Sequence, residues 1–78
     1  QLNMHDAIQD WKAAAEFTWH KLEEETSSKL LDGIAFYQRL KKDYPKIFKN
    51  TEDVDKWWNM KVAEKKLISQ GGYWILVD

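Results

Sequence analysis

The sequence predicts a mostly α-helical domain: a small three-helix bundle with a short C-terminal β-strand or extended arm. Three observations carry this. Apolar residues recur at helical spacing in three successive segments, each segment stops at residues that disfavour helix, and the last six residues, Tyr73 to Asp78, are aromatic and β-branched as strands are. With 78 residues there is room for one domain, taken as 1–78.

The first helix is expected over about 4–24, with Asn3 as N-cap and Asp6 in the first turn, where negative charge is favoured. Met4, Ala7, Ile8, Trp11, Ala14, Ala15, Thr18 and Leu22 form one stripe. Phe17 lies off that stripe and Trp19 sits at its edge, so one or both are expected to be exposed or to touch a second partner. Glu23, Glu24 and Glu25 oppose the helix dipole and favour fraying, so the helix is expected to end there.

Thr26, Ser27 and Ser28 then make a polar joint able to cap a second helix over about 29–43. Its apolar positions, Leu30, Leu31, Ile34, Ala35, Phe36, Tyr37 and Leu40, cover more than half the circumference, which predicts a central helix between two neighbours. Gly33 inside it costs about 1 kcal/mol relative to Ala and signals close approach of another backbone or a kink. Pro45 stops the helix by Tyr44, and Ile47 and Phe48 are expected to pin the following linker to the core.

Asn50 or Thr51, followed by Glu52, Asp53 and Asp55, starts a third helix expected over about 52–69, with Gly71 or Gly72 ending it in a left-handed conformation. Trp57 and Trp58 cannot share one helix face, so one ring suits the core and the other an interface. The final segment, 73–78, is expected to be a strand with no partner upstream. An unpaired strand must be covered or paired, which points to assembly with another chain.

Composition excludes several function classes. There is no cysteine, hence no disulfide framework and no thiolate metal site. No apolar run approaches the roughly 20 residues of a membrane span, so no membrane insertion is expected and the chain reads as soluble and intracellular. A first residue of Gln implies that a tag, a targeting peptide or the rest of a longer protein preceded it. Net charge is −1, but residues 1–38 carry −4 and residues 39–78 carry +3. Bulk charge therefore disfavours non-specific nucleic-acid binding while leaving a local basic patch.

Chemical motifs are scarce. His20 with Glu23 and Glu24 supplies fewer ligands than a zinc site needs, and the acidic runs sit at helix ends where carboxylates are solvated. Ser27, Ser28 and Ser69 belong to no nucleophile elbow, and Gly71-Gly72 precedes a strand, the wrong order for a phosphate cradle. No catalytic residue, metal or cofactor is assigned.

Two binding functions remain. Five Trp, three Tyr and three Phe exceed what a core of this size needs, so the expected function is a non-enzymatic protein-interaction module or accessory subunit. Its interface residues would be Phe17, Trp58, Tyr73, Trp74 and Leu76, and its partner another protein chain, in a homo-oligomer or hetero-assembly. The alternative is a small nucleic-acid-binding domain using Arg39, Lys41, Lys42, Lys46 and Lys49, grouped around Tyr37, Tyr44 and Phe48 as stacking faces. A helix-rich chain ending in a strand is similar, at the level of architecture, to winged-helix domains, although one strand is too few for a wing.

Overall fold

The computed structural model describes residues 10–77. Asn3, the proposed first cap, lies outside the described residues, as does Asp78. Helix α1 spans Trp11–Thr26, and its N-cap is Asp10, whose extended backbone (φ −82°, ψ 125°) and carboxylate, accepting from Lys12 N–H at 3.3 Å, interrupt the helix expected from Met4. Ala14, Ala15, Thr18, Trp19 and Leu22 form its buried face. Trp19, expected at the edge of the stripe, is at the centre of the core.

The acidic run does not fray α1. Glu25 is held by the Arg39 guanidinium through two hydrogen bonds of 2.8 and 2.7 Å, and Glu23 pairs with His20 at 2.9 Å. Ser27 turns left-handed (φ 54°), so its own N–H reaches Glu24 C=O and the Ser28 N–H reaches Glu23 C=O, closing the helix end.

Helix α2 begins later than expected, spanning Gly33–Asp43, because Asp32 rather than a serine is the N-cap, accepting from Ile34 N–H at 2.9 Å. Both α2 and α3 pack on α1, and α2 also meets α3, through Phe36 on Trp57 and Tyr37 on Trp58 and Asp55, so α2 has the two neighbours expected of it while its Ile34 side stays exposed. Pro45 follows the helix end as predicted, and Phe48, 1% exposed, anchors the linker. Helix α3 spans Thr51–Ala63 behind the predicted Asn50 cap, which accepts from Glu52 N–H at 2.9 Å.

The C-terminal third departs most from expectation. Helix α3 ends at Ala63, where Lys65 turns left-handed (φ 61°) and the Lys66 N–H bonds Lys61 C=O at 2.9 Å. Strand β1, Leu67–Gln70, follows, and it pairs antiparallel with β2, Tyr73–Leu76. The register sets Leu67 opposite Leu76, Ile68 opposite Ile75, Ser69 opposite Trp74 and Gln70 opposite Tyr73. Gly71 (φ 60°) and Gly72 (φ 85°) are therefore the two-residue hairpin turn with both residues left-handed, not a helix stop.

A third segment completes the sheet. Leu31, in the connection between α1 and α2, exchanges two 2.9 Å backbone hydrogen bonds with Trp74. The expected strand thus has partners on both sides within its own chain. The element order among the described residues becomes helix, bridging residue, helix, helix, two-stranded hairpin.

Inside, Trp19, Phe36 and Trp57 make an aromatic centre, with ring centroids 4.9 Å apart for Trp19 and Phe36 and 5.2 Å for Phe36 and Trp57. Leu40, Tyr44, Phe48, Val54, Leu67 and Leu76 close around it.

Candidate aromatic groove

The hairpin pairing decides which side chains β2 presents to the helices. Alternation along a strand sends Leu67, Ser69, Trp74 and Leu76 to one face and Ile68, Tyr73, Ile75 and Val77 to the other. Leu67 and Leu76 are buried, so the first face is the inner one, and Trp74 lies on it next to α3. Trp58, one position past the buried Trp57, meets it edge to face, with centroids 4.9 Å apart and planes at 75°.

Tyr37 of α2 flanks Trp58 on another side, at 5.7 Å and 65°. Its hydroxyl donates to Asp55 Oδ1 at 2.6 Å, which fixes the ring. Burial, then the Asp55 carboxylate, push the Tyr37 pKa well above the usual phenol value. Gly33 permits this arrangement: a Cβ there would stand 3.1 Å from Trp58 Cη2. The close approach expected at Gly33 is therefore an indole ring rather than a backbone.

These side chains line an open groove of about 480 Å³, completed by Ile34, Gln38, Lys41, Asp32, Thr51 and Gly72. Ile34 is 69% exposed, the most exposed large apolar side chain among the described residues. Ile34, Gln38 and Lys41 lie at helical spacing along one face of α2, with Lys41 at its cationic end. Lys41 makes no ion pair among the described residues.

The five residues expected at a protein interface are not brought together. Trp58 and Trp74 line the groove. Tyr73 is 51% exposed on the opposite face of the hairpin, Leu76 is buried in the core, and Phe17 packs half-buried against the core without lining the groove. Ile34, Tyr37 and Gly33 were not singled out for an interface. The available signal was the apolar arc of α2, too wide for one buried side, which was read as a central position.

The basic segment is divided as well. Arg39 is engaged by Glu25 and by Asp43, whose Oδ2 accepts from Nε at 2.8 Å, and the two carboxylates push its pKa up further. Lys41, Lys42, Lys46 and Lys49 are exposed, but Tyr44 and Phe48 are core residues and offer no stacking face. Lys61, counted with the positive surface of α3, is buried, 2.8 Å from Glu16 and over the Trp57 ring.

Among the described residues, no three His, Cys, Asp or Glu side chains come together as a metal site would require. No described helix is long and apolar enough to cross a membrane. No protein-family model, curated protein or solved structure matches the chain.

Proposed function

We propose that this chain is a non-enzymatic protein-interaction module whose binding surface is the groove between α2, α3 and β2. The observation that carries this is the half-exposed edge-to-face trio Tyr37, Trp58 and Trp74 beside the exposed Ile34. Large rigid rings give contact area at little cost in side-chain entropy, and interfaces concentrate their binding energy on such residues. Trp19, Phe36, Tyr44, Phe48 and Trp57 are spent in the core, and among the aromatics left at the surface these three are the ones packed together.

Strand addition at β2 is disfavoured, because β1 pairs one edge and Leu31 bridges Trp74 in the middle of the other. The C-terminal strand contributes to binding through the Trp74 side chain instead. The test is selection of displayed random linear peptides on the immobilised chain. Enriched peptides should lose binding to Ile34→Asp, a surface change that spares the core, and keep it for Lys49→Glu. Enrichment only of peptides indifferent to Ile34→Asp would reject the groove.

A second reading, nucleic-acid binding, is favoured by the four exposed lysines and by an element order similar to winged-helix domains. Against it, the exposed positions of α3 include Glu52 and Asp55 beside Lys56, and the hairpin tip, Gln70 to Tyr73, is uncharged. If Lys41, Lys42, Lys46 and Lys49 each met one phosphate of a single strand, affinity would fall about 50-fold between 50 and 200 mM salt. Fluorescence anisotropy with a labelled oligonucleotide measures this, and a flat or absent response dismisses the reading.

A further inference from the structure

We infer that Tyr37 is the residue on which one-electron oxidation of this domain comes to rest, as a neutral tyrosyl radical whose phenolic proton has passed to Asp55. The inference concerns redox chemistry rather than binding, and it stands whether or not the groove has a partner.

Ring contact is the first argument. Trp74 meets Trp58 at 4.9 Å between centroids, Trp58 meets Trp19 at 6.1 Å, and Trp19 meets Trp57 at 6.3 Å. These indoles form one connected series that runs from the half-buried groove wall into the core. Tyr37 joins the series at Trp58, 5.7 Å away. Electron tunnelling weakens steeply with distance, so rings packed this closely share an electron hole wherever it enters. Tyr73, by contrast, lies on the opposite face of the hairpin from Trp74.

The proton decides where the hole stops. An oxidised indole or phenol is a strong acid, and it is fixed as a neutral radical only once its proton has left. The Nε1 atoms of Trp19 and Trp57 are sealed in the core and donate to no protein acceptor, and those of Trp58 and Trp74 donate to none among the described residues. The Tyr37 hydroxyl already donates to Asp55 Oδ1 at 2.6 Å, the length of a charge-assisted bond. Burial and that carboxylate keep the phenol protonated, so oxidising it has to move this proton, and the acceptor is in place.

The electrons balance as follows. A one-electron oxidant of the azidyl-radical class takes an electron from Trp74 or Trp58 and becomes azide. Tyr37 then gives one electron to the Trp58 radical cation while its proton crosses to Asp55 Oδ1. The indole is restored, and the products are a phenoxyl radical on α2 and a carboxylic acid on α3. One electron has left the domain, and the proton has moved within it.

The experiment is pulse radiolysis of the whole chain in azide solution at neutral pH, where azidyl radicals attack indole far faster than phenol. Absorption and EPR spectra tell tryptophanyl from tyrosyl radicals. Expected is a tryptophanyl signal that decays as a tyrosyl signal grows, more slowly in D2O than in H2O. Tyr37→Phe, which keeps the ring, should leave the tryptophanyl radical without a successor. Asp55→Asn, an exposed position, should slow tyrosyl growth about 100-fold, the low end of what a positioned proton acceptor contributes. A tyrosyl signal that persists in Tyr37→Phe would place the radical on Tyr44 or Tyr73 and overturn the inference, as would an unchanged rate in Asp55→Asn. A wild-type rate that is the same in D2O would overturn it without any variant, since the proton would then play no part in the step.

Discussion

Lys65 occupies a position that glycine usually takes. Its φ of 61° places a β-carbon in the left-handed region at the close of α3, where the Lys66 N–H reaches back to Lys61 C=O. Lys65→Gly should therefore stabilise the domain by about 0.5–1 kcal/mol, seen as a rise of several degrees in Tm. Arg39 makes a prediction in pH. Its hydrogen bonds hold the Glu25 carboxyl below the usual carboxylate range, so the folded state prefers the ionised form. A lowered folded pKa contributes stability that is present above the ordinary carboxylate value and lost as pH falls through the folded one. The Tm difference between wild type and Arg39→Gln should accordingly be widest near neutrality and close below about pH 4, as a thermal series from pH 3 to 7 would record. Neither feature was legible in the sequence: a left-handed lysine has no residue-type signature, and Glu25 and Arg39 meet only because α1 and α2 pack together.

At the scale of elements, the three helices were legible because their caps and stripes are local. Asn50 capped α3 as expected, and Pro45 followed the end of α2. The hairpin was misread for an identifiable reason. Leu67 and Ile68 fit the helical stripe of α3, and Lys65 and Lys66 suit a helix C-terminus, so the helix was extended through residues that are strand. The competing signal, Gly-Gly between two four-residue runs, is a hairpin signature, but it was read as a helix stop. Leu31 could not be found at all, since one bridging residue has no periodicity. If Gly71 and Gly72 form a turn with both φ angles positive, Gly71→Asn should be tolerated or stabilising by a few tenths of a kcal/mol, while Gly71→Val should cost about 1–2 kcal/mol. Urea unfolding of the two variants separates these outcomes.

On the scale of the whole molecule, Leu76 changes role from the interface residue it was taken for to part of the core. Leu76→Ser should cost about 3 kcal/mol or more, a large share of the roughly 4–12 kcal/mol available to a chain of this length. Loss of binding in that variant would report unfolding, which circular dichroism would reveal. The groove was half legible, through the adjacent tryptophans and the terminal aromatics, but its α2 wall was not, because which side of a broadly apolar helix stays exposed is settled by packing. The paired hydrogen bonds between Leu31 and Trp74 have a further consequence. They join the connection before α2 to the last strand, so the groove exists only when the hairpin is docked against that connection. On the proposed interaction reading, a ligand seated there would stabilise the whole domain by mass action, worth about 2.7 kcal/mol at a hundredfold excess over Kd. If the groove has a partner, occupied copies should then outlast empty ones under limited proteolysis, and the lifetime of the chain would record how much of it is present.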